Sequence, residues 1–375
     1  MAAFTPQALP AWRRAVLKVG SSLLAGSGGL DPVHARGLAA FIAVARAQGR
    51  EVVLVSSGAV AAGRGRIGAA GNGIVQRQAL AALGQASLMG FWQSLSDVPV
   101  AQVLLTHDDL RNRRRYLNAR TALQALLQLG ALPVVNENDT VAVDELKLGD
   151  NDNLAAIVAA LVDAEVLFIA TDIDGLYDAD PRTHPDARLL AEVPELTPAV
   201  LAMAGGSGSM AGTGGMRTKL EAAAKAGAAG IDTVLFNGRR AEALRELAHD
   251  RLSGTRIHAA RSRIAARKHW LRHAPLEPGA IVVDAGAAAA LSGKGASLLP
   301  GGVVGAEGDF RRGDMVQVLL RGDDGERRIA RGISQYSALD VRRIARRHSR
   351  DIEAILGYNY GGNVIHRDDL VLLQD

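Results

Sequence analysis

Residues 15–22 read Ala-Val-Leu-Lys-Val-Gly-Ser-Ser, an apolar run of strand length with one lysine inside it. An ammonium set among apolar residues must reach solvent or meet an anion, because an unpaired buried charge is costly. Gly20, Ser21 and Ser22 follow directly and offer close backbone approach and N–H donors, a surface suited to phosphate. An edge strand with a solvated lysine explains the stretch equally well. The GxxxxGK[ST] spacing of a P-loop is absent.

Outward from this run the pattern repeats. EVVLV (51–55), VAQVLL (100–105), LPVVN (132–136), EVLFIA (165–170) and TVLF (233–236) are further short apolar runs, and segments of helical period such as 76–95 and 116–129 lie between them. Strands apolar on both sides and separated by helices imply an α/β fold with a mostly parallel central sheet sandwiched by helices. We read one such domain over residues 12–260. A basic linker follows at 261–276, inside a stretch from Thr255 to His273 that has no acidic residue. Beyond Pro275 and Pro278 the chain becomes strand-like and glycine-punctuated, which predicts a small β-rich domain over 277–375. Apart from the alanines at 287–290 there is no low-complexity tract.

Composition narrows the function classes. The chain has 375 residues, long enough for two domains, and 43 Lys+Arg against 39 Asp+Glu, a +4 balance too small to argue for nucleic acid. No cysteine is present, which excludes a disulfide scaffold, a zinc ribbon and a thiol nucleophile. The first sixteen residues lack a continuous apolar segment, and no uncharged apolar run of about eighteen residues occurs anywhere, so neither a signal peptide nor a membrane span is expected. The default is a soluble cytoplasmic protein. The histidines show no metal spacing and no nucleophile partner, and Trp12, Trp92 and Trp270 read as packing residues.

Three further motifs carry chemistry. Val55-Ser56-Ser57-Gly58-Ala59-Val60 runs from a strand end into an Ala-rich helix, and helix starts present N–H groups to carboxylates or phosphates. Plain N-capping by serine is the simpler reading of that motif alone. Two polar bursts, Asn136-Glu137-Asn138-Asp139 and Gly149-Asp150-Asn151-Asp152-Asn153, flank a strand end and a helix start. Ligands bind beyond the carboxyl ends of parallel strands, and Asp with Asn there can accept from an ammonium and donate to a carboxylate. Such a set describes an amino-acid substrate. Finally Gly212-Thr213-Gly214-Gly215-Met216-Arg217-Thr218-Lys219 is a glycine loop leading into a helix with a lysine in its first turn, able to wrap phosphates.

The succession KVGSS, VSSGAVAAG, NEND, GDNDNLAA, TDIDGLY and GTGGMRTK, in this order, resembles the amino acid kinase superfamily over essentially the whole chain. The NEND and GDNDN pair resembles the glutamate-phosphorylating branch of that family, and the C-terminal third is similar to a pseudouridine synthase and archaeosine transglycosylase (PUA) domain. The resemblance implies ATP-dependent phosphorylation of the L-glutamate side-chain carboxylate, the opening step of proline biosynthesis. It implies that Lys18 contacts the transferred phosphoryl group and that Asp152 orients Lys18 and Lys219. Ser57, Asp139 and Asn151 would contact glutamate, with Asp150 helping to hold its amine. Thr171, Asp172, Thr213, Gly214, Gly215, Met216, Arg217, Thr218 and Lys219 would bind ATP. Mg²⁺ is implied on the ATP phosphates with no protein ligand named. A homo-oligomer, dimer or tetramer, and feedback inhibition by proline are implied in the same way.

Two other readings compete. A sister kinase would act on acetylglutamate, carbamate or another small acid, although Asp139 and Asp150 suit a free ammonium. An RNA-binding module would use Arg342, Arg343, Arg346, Arg347 and Arg350, but residues 275–375 hold 13 Lys+Arg against 14 Asp+Glu, and RNA binding normally needs a net basic surface. RNA binding is therefore not expected.

Overall fold

The computed structural model describes residues 6–68, 71, 73–142, 151–181, 183–204, 215–260, 279–322 and 325–373. Asp150, Thr213, Gly214, the linker 261–276 and the first two residues of the expected C-terminal domain lie outside them. The chain forms two compact units, Met1–Asn112 with Asn118–Arg263, and Arg113–Leu117 with Ile264–Asp375.

The first unit is organised by one sheet. Its strands are β1 (Arg14–Val19), β2 (Glu51–Ser56), β3 (Val100–Leu105), β4 (Leu132–Glu137), β5 (Val166–Thr171), β6 (Glu192–Val193), β7 (Asp232–Asn237) and β8 (Gly254–Ile257), in the spatial order β3-β4-β2-β1-β5-β7-β8-β6. The strands from β3 to β7 in that order run parallel; β8 turns antiparallel against β7. β4 and β5 are buried at every position, as a sheet covered on both faces requires. On one face Trp12, Phe41, Phe168 and Phe236 meet edge-on, with Trp12 and Phe168 centroids 5.4 Å apart.

Because the central strands are parallel, their last residues, four of them polar, fall on one edge: Val19 lies opposite Ser56, Leu105 opposite Glu137 and Asn237 opposite Thr171. The described residues of the motifs singled out above sit at or just beyond this edge. After β2 the chain reverses at Gly58, whose φ of +116° favours glycine, and enters α1 (Ala59–Ile67). α1 crosses α2 (Ile74–Ser94) at backbone contact. A Cβ at Gly84 would lie 1.9 Å from the Ala59 carbonyl oxygen, and one at Gly63 would lie 2.0 Å from that of Leu80. Trp92, on the same helix, donates its indole N–H to Ser56 Oγ at 2.8 Å and ties α2 to the end of β2. α3 (Asn151–Leu161) and α4 (Met216–Ala228) pack on each other.

The second unit has a five-stranded sheet, Val303–Gly308, Gly279–Val283, Met315–Gly322, Gly325–Ile333 and Leu370–Leu372 in spatial order. Ile281, Val283, Phe310, Val316, Val318 and Tyr336 form its core. The alanine tract is the helix Ala285–Lys294, capped by Asp284. The helix Ala338–Ile344 starts with a Ser337/Asp340 capping box. Arg342 on that helix donates to the carbonyls of Ala306 and Gly308 at 2.9 and 2.6 Å, and Arg343 donates to that of Ile355. Part of the basic stretch is thus engaged in holding its own unit together. No helix among the described residues is long and apolar enough to cross a membrane.

Candidate active site

Lys18 projects from β1 near its end, and its ammonium lies 2.6 Å from Oδ1 of Asp152 at the start of α3. Lys219, in the first turn of α4, reaches Oδ2 of the same carboxylate at 3.2 Å. Thr218 donates its hydroxyl to that Oδ2 at 2.7 Å. The three charged side chains are 6%, 0% and 8% exposed for Lys18, Asp152 and Lys219. Gly20 makes room for this, since a Cβ there would lie 3.3 Å from the Lys18 nitrogen. Burial alone would raise the Asp152 carboxyl, but the charges of Lys18 and Lys219 and the hydrogen bonds from Lys18 and Thr218 outweigh it, holding the group down at about 2. Lys219 is lowered from its ordinary value, first by burial, with the like charge of Lys18 adding and Asp152 opposing.

Beside this cluster runs a chain of neutral polar groups. The Asn151 amide donates to Ser57 Oγ at 2.8 Å and to Asn136 Oδ1 at 3.0 Å. The Asn136 amide in turn donates to Gln85 Oε1 of α2 at 3.0 Å. Asn136 and Asn151 are 2% and 0% exposed, so these bonds are made away from water. Ser57 is fixed from the other side by its backbone N–H, which donates to Val19 O at 3.0 Å. Four expected residues from three distant stretches, Ser57, Asn151, Asp152 and Lys18, are therefore neighbours.

Asp139 follows β4 and is buried. Its Oδ1 has no hydrogen-bond partner among the described residues, and its backbone carbonyl accepts from Gln78 of α2 at 3.0 Å. Burial lifts its carboxyl to about 6, a rise only partly opposed by Arg77.

Thr171 ends β5 beside the end of β7, and Asp172 follows it. Thr171 is buried and its carbonyl accepts from Gly238 N at 2.9 Å; Asp172 is about half exposed, with Arg239 3.8 Å away. Arg239 also donates to Ser22 O at 3.2 Å, joining this corner to the turn after β1. Asp174 binds Asn237 and Arg240. Of the glycine-loop residues described, Gly215 and Arg217 are exposed, Arg217 pairing with Glu221 at 3.0 Å, and Met216 is half-buried. Thr218, expected at the nucleotide, donates its hydroxyl to Asp152.

Sequence reasoning left Asn136 without a role and passed over Gln85 and Arg77. Asn136 lay inside a flagged burst; Gln85 and Arg77 carry no signal on a helix of ordinary composition. Among the described residues no group of three or more His, Cys, Asp or Glu stands where it could hold a metal ion.

The chain is similar to known proteins over nearly its whole length. The profile of the Amino acid kinase family matches residues 13–237, and that of the PUA domain matches 279–356. The glutamate 5-kinase of Xanthomonas oryzae pv. oryzae is 75% identical over 362 residues, covering 96% of this chain and 100% of that protein. The one from Xanthomonas campestris pv. campestris has the same identity and coverage, 75% over 362 residues. The glutamate 5-kinase of Xylella fastidiosa is 68% identical over 375 residues, 99% of this chain and 98% of its own length. With both profiles in place and full-length relatives at this identity, the chain belongs to the amino acid kinase family, in its glutamate 5-kinase branch, and carries a PUA domain.

Proposed function

We propose that the chain transfers the terminal phosphoryl group of ATP to the side-chain carboxylate of L-glutamate, giving L-glutamyl 5-phosphate, the first step of proline biosynthesis. The observation that carries the reading is the buried Asp152 carboxylate held between Lys18 and Lys219, next to the Ser57–Asn151–Asn136 chain, with the buried acid of Asp139 on the same edge.

The chemistry follows from charge. A carboxylate oxygen is already nucleophilic, so no general base is required. The difficulty is to bring two anions into line and to neutralise the charge on the phosphoryl group in flight. Lys18 and Lys219 supply that neutralisation, and Asp152 fixes their positions before the substrates arrive. Ser57 and Asn151 present polar groups to the glutamate, while Asp139 takes its ammonium, with Asp150 assisting. Thr171, Asp172 and the segment from Thr213 to Lys219 hold the nucleotide.

Mg²⁺ would screen the phosphates when bound. Both oxygens of Asp152 are engaged by lysines, so the described side chains do not fit a protein-held ion, and the cation would ride on the triphosphate.

In this reading residues 12–260 form the catalytic domain, 261–276 a linker and 277–375 the PUA module. The enzyme is a cytoplasmic homo-oligomer, and proline competes with glutamate in its pocket. Asp139→Ala is expected to lose proline sensitivity while keeping measurable turnover at high glutamate; full retention of inhibition would refute that part.

Hydroxamate trapping tests the reaction. Glutamate, ATP and Mg²⁺ with the enzyme should yield glutamyl hydroxamate, and ADP release without hydroxamate would overturn the acceptor. Among sister reactions, phosphorylation of acetylglutamate is disfavoured by Asp139, whose buried acid suits a free ammonium; a panel of small acids in an ADP-release assay separates the two.

A further inference from the structure

We infer that Arg239 is a nucleotide-binding residue whose guanidinium takes the phosphates of ATP, between the turn after β1 and the end of β5. The inference rests on the proposed placement of the nucleotide beside Thr171 and Asp172, and adds to it a cation from the end of β7.

The backbone delivers Arg239 to this place. The Asn237 amide donates to Asp174 Oδ1 at 2.8 Å, and its own Oδ1 accepts from the Arg239 backbone N–H at 3.0 Å. Both ends of a buried carboxamide are thus engaged in fixing the turn. Gly238 N donates to Thr171 O at 2.9 Å. A Cβ at Gly238 would lie 2.7 Å from Leu23 Cδ1 and 3.2 Å from Ala170 Cβ, so the turn seats directly on β5 and on the stretch after β1. Arg239 therefore arrives beside Ser21 and Ser22, both exposed.

The two adjacent arginines are held differently. Arg240 meets Asp174 at 2.9 Å, a carboxylate only 16% exposed. Arg239 donates to Ser22 O at 3.2 Å and stands 3.8 Å from Asp172, and its side chain has no further partner among the described residues. A guanidinium carries five donors, and a half-exposed ion pair at that distance contributes little. A planar fork with donors in reserve matches the oxygens of a phosphate.

Asp172 gives an independent reason. A half-exposed carboxylate at a polyphosphate site repels its ligand unless cations offset it. Lys219 lies near enough for the charge of Asp172 to favour its ammonium, and Arg239 stands near the same acid. With two cations against one acid, this corner attracts phosphate; without Arg239 it is neutral.

Binding and kinetics of Arg239→Ala in the full-length enzyme test the proposal. The variant should bind ADP about tenfold more weakly, the loss expected of one charge-assisted contact, and inorganic tripolyphosphate should compete with ATP about tenfold less well. Adenosine, which has no phosphate, should bind within about twofold of wild type. The KM for ATP should rise about tenfold, with kcat and the KM for glutamate within about threefold. Arg239→Gln can still donate to Ser22 O but lacks the charge, so it should fail as the alanine variant does, and it carries the same test should that variant not fold. Full phosphate affinity in Arg239→Gln would make Arg239 a brace for the turn and overturn the proposal. Unchanged competition by tripolyphosphate, or an equal loss of adenosine binding, would overturn it as well. A wild-type enzyme that binds neither ADP nor tripolyphosphate would instead overturn the placement of the nucleotide itself.

Discussion

Lys18 stands 2.6 Å from Asp152 in a site where neither side chain is more than 6% exposed. One lysine comes from the first strand of the sheet and the acid from the start of a helix more than a hundred residues later. A buried pair of this kind stabilises little by itself, because desolvation offsets attraction, but removing one member leaves an uncompensated charge. Asp152 must also satisfy Lys219, so the effects of substitution at the three positions will be strongly coupled.

Lys18→Ala is expected to lower kcat by at least about a hundredfold while changing the KM for glutamate little, since the ammonium meets charge that develops during transfer. Steady-state kinetics with both substrates varied check this. A variant with unchanged kcat would remove Lys18 from the chemistry.

Asp152→Asn leaves two neighbouring buried ammonium groups without their counter-charge, and should destabilise the fold by about 3–5 kcal/mol, measured by urea unfolding. The wild-type acid, held at about 2 against 3.8, contributes stability that is present above 3.8 and is lost as pH falls toward 2. Loss of this acid limb in the variant is the second expected result.

Asp139 predicts a pH dependence of opposite origin. Its acid is lifted to about 6 by burial, so in the free enzyme it becomes neutral as pH falls through that value and no longer attracts an ammonium. The kcat/KM for glutamate should therefore fall below about pH 6. Asp139→Asn should remove that limb and weaken glutamate binding at every pH; the same profile in variant and wild type would exclude Asp139 from recognition.

Gly84→Ala tests the packing beneath the site. Its Cβ would lie 1.9 Å from the Ala59 oxygen, and backbone cannot rotate away as a side chain can. The helices must part, at a loss of at least about 1–3 kcal/mol. A lowered Tm with a raised glutamate KM is expected, since Ser57 moves with Ala59.

The strands carrying the site were legible because burial on both faces forces unbroken apolar runs. LPVVN gives all of β4 but its last residue, Glu137, and EVLFIA gives all of β5 but its last residue, Thr171. β8 was not read, because a four-residue strand of sequence Gly-Thr-Arg-Ile merges with the basic stretch after it. The helices of the second unit were hidden by alanine and arginine, which suit a helix or a coil alike. Within the site, residues that must be charged or carboxamide to do their work were visible as clusters, and Lys18, Ser57, Asn151 and Asp152 come together as the motifs implied. Gln85 was not visible, since a glutamine on an exposed-looking helix face is indistinguishable from a solvated one until its partner is known. The bond from Thr218 to Asp152 was equally silent, because a hydroxyl beside a lysine suggests a phosphate before it suggests a carboxylate.

Two cations leaning on a single acid leave the cluster with one positive charge in excess, in surroundings largely closed to water. Such a pocket selects by valence: sulfate or inorganic phosphate will compete with the nucleotide at concentrations where chloride is indifferent, and buffer composition becomes a variable of the enzyme's apparent affinity for ATP.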